Sequence, residues 1–251
     1  MDDLAPRAPA RWIAPLAITV LTIAVFAPAF NGGFVLCDDD RNFLNNPYYR
    51  GLGFAQARWA FTSAVMGHWI PVTWLTFSLD YAVWGMNPFG YHLTNVLLHA
   101  ANAVLLYILA LGLLRRALPA AGARAITLGA AGAALFFALH PLRAESVAWI
   151  TERRDGLSTV FYLGTVLAYV KASELDGVPR RRWLVVSLGA YTLGLLSKSL
   201  IMSLPLALLV LDVYPLRRAQ GRWRQVLIEK LPYLALAVAA AIVSFLALRE
   251  F

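Results

Sequence analysis

Residues 91–114 read YHLTNVLLHAANAVLLYILALGLL, a run without a single Asp, Glu, Lys or Arg. A helix needs about 20 such residues to cross the hydrocarbon core of a bilayer, so this stretch reads as a membrane span. Its polar residues are ordered: His92, Asn95, His99 and Asn102 follow i, i+3, i+7, i+10 and share one helical face. Polar groups in lipid must find partners inside the protein, which turns this face into a bundle. The whole chain agrees. Of its 251 residues 60% are hydrophobic and 14% charged, and the mean hydropathy is +0.63. Soluble domains run at roughly 45–50% and about 25%. Such a composition argues against a cytosolic enzyme and excludes a disordered chain, which needs low hydrophobicity and high net charge. The single cysteine, Cys37, excludes a disulfide within the chain and any cysteine-based zinc site. The net charge of +8 matters in so apolar a chain for where the cations sit, and no nucleic-acid partner is expected.

Working outward, further spans are expected at 12–30, 125–139, 156–170, 183–197, 200–214 and 232–248. Several are short and need extra turns from their polar flanks or a thinned bilayer. The stretch IPVTWLTFSLDYAVWG at 70–85 is apolar and aromatic but carries Asp80. If it does not span, 14 of the 22 lysines and arginines fall on the side of the N-terminus, against five acids: Asp2, Asp3, Glu174, Asp176 and Glu229. If it spans, the Arg-rich loops flip outward, against the positive-inside rule. It is therefore placed flat on the outer interface, where Trp69, Trp74, Tyr81 and Trp84 suit the headgroup region. The expectation is an all-α polytopic bundle of about seven membrane helices, with Arg7 and Arg11 before the first span and the N-terminus in the cytoplasm. Its outer loops cover about 31–90 and 140–155. The Ala/Gly run 120–134 suggests close helix packing.

The polar residues of the outer loops call for partners. Asp38, Asp39 and Asp40 repel one another as adjacent carboxylates. They read as a solvated loop entrance with a helix cap, as a general base beside a membrane-embedded substrate, or as a divalent-cation site. The loop 140–155, HPLRAESVAWITERRD, holds His140, Arg143, Glu145, Arg153, Arg154 and Asp155. On one continuous helix Arg153 and Asp155 flank Glu145 on a broad face. This reads either as an interfacial helix with paired charges or as an anion site whose guanidiniums grip phosphate oxygens. Lys198, in a tight connection between spans, either snorkels to the interface or adds a second phosphate ligand. In the polar stripe, Asn102 reads as an interhelical hydrogen bonder, whereas His92 and His99 are candidates to line a substrate groove. Asp212 is expected to pair with Arg217 or Arg218.

The runs FVLCDDDRNFLNNP at 34–47, PVTWLTFSLDYAVWGMNPFGYHLTNVLLH at 71–99, FALHPLRAESVAWITERRDGLS at 137–158 and LLSKSLIMSLPLALLVLDVYPL at 195–216 resemble, in order, a set of bacterial membrane proteins. Those carry a multi-span N-terminal module followed by tetratricopeptide repeats. They are similar to the eukaryotic transmembrane and tetratricopeptide-repeat O-mannosyltransferases that act on cadherins, of the GT-C glycosyltransferase superfamily. The resemblance implies that residues 1–251 form a single GT-C-like module with amphipathic helices in its outer loops and a repeat domain expected beyond its end. It implies a bacterial inner-membrane protein with an active site on the periplasmic or extracellular face. A polyprenyl-phosphate-linked sugar would be the donor and a protein or glycan hydroxyl the acceptor.

The family's paired acids fall on Asp38 and Asp39, with Asp40 extending them, as the base. His140, Glu145, Arg153 and Asp155 match the second-loop block, and Lys198 matches the family's lysine. Ile70 stands where eukaryotic members tend to have Arg, and Ser199 where they have Glu. Arg153, Arg154 and Lys198, with Arg143 in reserve, are the expected cations for the lipid phosphate. No metal or other cofactor is expected, although a divalent cation at Asp38–Asp40 would suit a diphosphate donor. Two other readings compete: a lipid-linked-sugar carrier or flippase, and a non-catalytic membrane scaffold. A carrier would more naturally show repeated halves and helices broken at mid-membrane, and neither is evident in the sequence.

Overall fold

The computed structural model describes residues 10–249, and side chains from residue 12 onward. Asp2, Asp3, Arg7 and the side chain of Arg11, on which the N-terminal orientation was argued, lie outside the described residues. Ten α-helices make up the described chain, with no β-strand among the described residues. They are α1 Ala10–Phe26, α2 Phe54–Thr62, α3 Pro71–Trp84, α4 Pro88–Ala117, α5 Ala123–Leu139, α6 Arg143–Ala148, α7 Arg153–Ser173, α8 Gly177–Leu195, α9 Leu204–Val213 and α10 Trp223–Arg249.

The central helix is α4, whose limits follow from local chemistry. Asn87 caps its start by accepting from the Phe89 N–H at 3.1 Å, and Pro88 occupies the first turn, where an N–H would have no partner. Arg115 and Arg116 fill its last turn and oppose the negative end of the helix dipole. The preceding turn is forced by Gly85 at φ 59°, and a Cβ on Gly90 would lie 2.1 Å from the Trp84 ring. Only glycine lets α3 fold back so closely onto α4.

Three helical segments are long and apolar enough to cross a membrane: Trp12–Asn31, Pro88–Ala117 and Trp223–Arg249. The first and last bury few of their side chains, leaving Trp12, Ile13, Leu231 and Phe245 facing outward. Such surfaces need an apolar solvent, and the protein is a membrane protein. Ala123–Leu139 and Ser199–Val213 are apolar but shorter. Of the about seven spans expected, three helical segments meet the length and composition of a membrane crossing, and α5, α7, α8 and α9 pack beside them.

Packing follows side-chain size. Ala130, Ala134 and Ala138 recur every four residues on α5, are fully buried, and meet Ala103 and Tyr107 of α4 and Ile18 of α1. Small residues at this spacing let helices approach closely without a hydrophobic force to drive them. A second core, around Tyr169, Tyr191, Leu204, Leu208 and Tyr233, joins the α7–α8 hairpin to α9 and α10. At this end of the bundle Asp212 is fully buried and bonded to Tyr169, Lys230 and Arg218, the last at 2.8 Å. Arg218 is thus its partner, together with a lysine from α10.

The opposite end carries the loops. Here Phe43, Tyr49, Trp74, Phe77, Tyr91 and Ile150 form a buried aromatic cluster under the acid-bearing loop. Helix α3 belongs to it, so the expectation for Trp74 is corrected: the ring is 2% exposed and packs against Trp59 and Phe43 rather than lying in a headgroup layer. The N-terminus of α3 is pinned to the turn after α8, with the Val72 N–H donating to the Leu196 carbonyl at 3.1 Å and the Thr73 hydroxyl to the Ser197 carbonyl at 2.9 Å.

The segment 140–155 is not one helix. It divides into α6, a 3-10 turn Ile150–Glu152 and the start of α7, with Trp149 extended between them. The broad face expected from a continuous helical phase is therefore absent. Glu145 is exposed on α6, Arg153 points inward, and Asp155 lies on α7.

Candidate active site at the acid-bearing loop

Asp38 adopts the left-handed region, φ 70°, which Asp tolerates better than most residues. The turn reverses the chain after the first span and starts a wide helical turn, Asp40–Leu44, closed by the Asn45 N–H on the Asp40 carbonyl at 2.8 Å. Single wide turns of this kind recur at functional sites. The three acids consequently part company. Asp39 is fully buried: one oxygen accepts from the Val35 N–H at 3.0 Å, the other from the Thr151 N–H at 3.2 Å and the Thr151 hydroxyl at 2.6 Å. Burial pushes its carboxyl above the ordinary value despite these bonds. Asp38 is half-buried and lines a cavity, and Asp40, also half-buried, is not part of that lining.

Thr151 links this loop to the charges of the second. It also accepts from the Asn42 amide at 3.1 Å. Next to it, Glu152 binds Arg154 through Nε at 3.1 Å and again through a terminal nitrogen. The other Glu152 oxygen meets Lys198 at 3.3 Å, and Lys198 is also bonded to Asp155. Burial would raise the Glu152 carboxyl, but hydrogen bonds and charge from Arg154 and Lys198 outweigh it and hold the group below its ordinary value. Two cations and two carboxylates thus form one half-buried network beside Asp39.

The cavity itself, about 50 Å³, is lined by Asp38, Asn42, His68, Thr151 and Arg154 over a floor of Trp74 and Phe77. That is room for a few waters and far below the roughly 300 Å³ of an ordinary ligand pocket. A tight turn closes its side, where Val65 and His68 bond each other's backbone at 3.0 and 2.9 Å. Among the described residues, no three His, Cys, Asp or Glu side chains converge on a point that would hold a metal ion.

Other expected site residues are placed elsewhere. Arg153 is fully buried and does not face the cavity. Its Nε donates to Asn95 at 2.8 Å and a terminal nitrogen to the Tyr91 carbonyl at 2.9 Å. It pairs with Asp80 and lies 4.3 Å over the Phe77 ring. The expectation of a free phosphate ligand there is corrected to a strut between α3, α4 and α7. His99 bonds the Ala138 carbonyl at 2.9 Å and packs on Phe26, so it joins helices instead of lining a groove. Asn102 bonds the Gly156 carbonyl at 2.7 Å, the interhelical role expected of it. His92 is buried under the chain at Gly32, where a Cβ would come within 2.9 Å of its Nε2. His140 edges Phe136 and Arg143 covers Phe137, both apart from the charge network, and Glu145 is exposed on α6.

Sequence reasoning passed over Asn42, His68, Thr151, Glu152 and the Asp80–Arg153 pairing. Asp80 did carry a signal, since a carboxylate in an apolar segment requires a partner. His68 lies in an irregular connection whose pattern predicts nothing.

Comparison with known proteins finds relatives named as protein O-mannosyl-transferases. The protein O-mannosyl-transferase Tmtc3 of Drosophila melanogaster is 36% identical over 128 residues, covering 46% of this chain and 14% of that protein. Protein O-mannosyl-transferase TMTC2 of Mus musculus is 38% identical over 113 residues, covering 45% and 12%. The human protein O-mannosyl-transferase TMTC4 is 29% identical over 216 residues, covering 79% and 29%. The homologues are TMTC-family protein O-mannosyl-transferases, as the resemblance implied, and the chain spans less than a third of the length of these three relatives. No family model matches the chain. No solved structure matches it significantly.

Proposed function

We propose that the chain is the membrane module of a GT-C-type glycosyltransferase. It moves a sugar from a polyprenyl-phosphate carrier to a hydroxyl of a protein or glycan on the outer face of a bacterial inner membrane. Seven helices (α1, α4, α5, α7, α8, α9 and α10) form the spanning bundle in this reading. The relatives' names favour mannose and a protein acceptor. The observation that carries the proposal is the meeting of an accessible carboxylate, Asp38, with the Arg154–Glu152–Lys198–Asp155 network at one cavity-bearing end of the bundle.

The chemistry follows from the charges. The acceptor oxygen attacks the anomeric carbon while the bond from that carbon to the phosphate oxygen breaks, with inversion and no covalent enzyme intermediate. The hydroxyl proton passes to Asp38, and the phosphodiester monoanion leaves as a monoester dianion. Lys198 and Arg154, released in part from their carboxylates, stabilise the added negative charge. Asp39, buried and fully hydrogen-bonded, is a positioning residue: it holds the turn that presents Asp38. The 50 Å³ cavity is too small for a hexose, so donor entry displaces the Val65–His68 turn.

The test is transfer of mannose from polyprenyl-phosphate mannose to a threonine-containing peptide by the chain in nanodiscs. Asp38→Asn is expected to reduce transfer at least about 100-fold, as loss of a general base does, while still binding donor. Full transfer by Asp38→Asn would refute its role. Donor movement across the bilayer without transfer in the wild type would favour the carrier reading.

A further inference from the structure

The end of the bundle opposite the acid-bearing loop contains a larger cavity, about 440 Å³, between the α7–α8 connection and the segment joining α9 to α10. Four guanidiniums line it: Arg180, Arg217, Arg218 and Arg222, against Glu174 and Asp176. The four are not equivalent. Arg218 is held at Asp212 and Glu229 at 2.8 and 2.6 Å, and Arg180 is bonded to Glu229. Glu174 is occupied by Arg116 and by Lys171, the latter at 2.8 Å. Arg217 and Arg222, both exposed, make no ion pair among the described residues. Gln220 and Gln225 add neutral donors to the lining, while the Ser173 hydroxyl donates to the Val170 carbonyl at 2.6 Å. The cavity therefore has an excess of fixed positive charge, and its two unpaired guanidiniums stand beside two whose orientation is locked.

Its depth is marked independently. Trp183 on α8 and Trp223 at the start of α10 are both substantially exposed near this level. Trp residues favour the boundary between hydrocarbon and headgroups. Beyond Trp223 the outward face of α10 turns apolar, with Leu227, Ile228 and Leu231 exposed. An anion reaching this cavity with an acyl tail would lay that tail along α10. Basic pockets at such a boundary hold phosphate headgroups through bidentate guanidinium contacts.

We infer that this cavity is a binding site for the phosphate headgroup of an anionic membrane lipid, separate from the proposed donor site and at the other end of the bundle. Arg217 and Arg222 grip the phosphate oxygens. Arg180 and Arg218, fixed by Glu229 and Asp212, supply background charge. The site ties the α9–α10 connection to the α7–α8 hairpin across a polar gap.

The test is native mass spectrometry of the detergent-purified chain titrated with phosphatidylglycerol or phosphatidylcholine. Wild type, Arg217→Gln/Arg222→Gln and Arg124→Gln are compared; Arg124 is an exposed arginine that does not line the cavity. The expected result is phosphatidylglycerol occupancy at least about fivefold lower in the double variant and unchanged in Arg124→Gln, with an unaltered thermal transition. Phosphatidylcholine should bind equally weakly throughout. Equal phosphatidylglycerol occupancy in wild type and double variant would overturn the site. Equal losses in the double variant and Arg124→Gln would reduce it to diffuse surface charge. Displacement of phosphatidylglycerol by millimolar inorganic phosphate would assign the cavity to a free anion instead of a lipid.

Discussion

Replacing Arg153 by alanine separates a framework role from a ligand role. In the wild type its guanidinium is fully buried, paired with Asp80, hydrogen-bonded to Asn95 and the Tyr91 carbonyl, and stacked on Phe77. Alanine leaves Asp80, itself 5% exposed, as a buried carboxylate with one hydroxyl donor, Thr94, at 2.8 Å. Breaking a buried ion pair in this way costs about 3–5 kcal/mol. For a chain of this size 1 kcal/mol moves the transition by roughly 2–4 °C, so the expected fall in Tm is about 6–20 °C. The eight tryptophans give a fluorescence readout of unfolding in detergent. A second variant, Asp80→Asn with Arg153→Met, removes both charges together and should recover a large part of the loss, since the penalty lies in the charge left alone. A Tm within about 2 °C of wild type for Arg153→Ala, with donor binding abolished, would refute this reasoning and return Arg153 to the phosphate site.

Asp39 gives a pH signature. Its carboxyl is raised by burial, so it favours folding most while protonated: the contribution is complete below its ordinary value of 3.8 and is lost as pH rises through the native value. The stability of wild type relative to Asp39→Asn should therefore decline across that window in thermal unfolding, and a relative stability that grows with pH would contradict the burial seen here. His99→Phe should cost about 1 kcal/mol through the lost bond to the Ala138 carbonyl and leave donor affinity unchanged. A large loss of donor affinity would restore His99 to a groove.

The helical architecture was legible because its signals are long and periodic. The charge-free run of α4, its polar stripe and the alanine spacing of α5 all report packing directly, and Asn95, His99 and Asn102 do bond neighbouring segments. The second loop was not legible by the same method. Helical phase carries no meaning across Trp149, where the chain is extended, so the face assigned to Glu145, Arg153 and Asp155 dissolved. Adjacent arginines illustrate the cost of that break: Arg153 points into the aromatic cluster and Arg154 into the cavity. The same limit applies to Asp38, Asp39 and Asp40. The division between a half-buried Asp38 on the cavity and a fully buried Asp39 depends on a left-handed residue and on Thr151, far away in sequence. His68 had no local signal, because its place follows from how the 63–70 connection packs.

The central claim is that Lys198 and Arg154 hold a lipid phosphate beside Asp38. Native mass spectrometry of the purified chain for bound polyprenyl-phosphate sugar tests it most directly, comparing wild type with Lys198→Met, Arg154→Gln and Asp38→Asn. Loss of one charge-assisted contact is worth about 1.5–3 kcal/mol, so occupancy at limiting donor should fall at least about tenfold in the two cation variants and persist in Asp38→Asn. Bulk phospholipid alone, bound equally by all four proteins, would contradict the account.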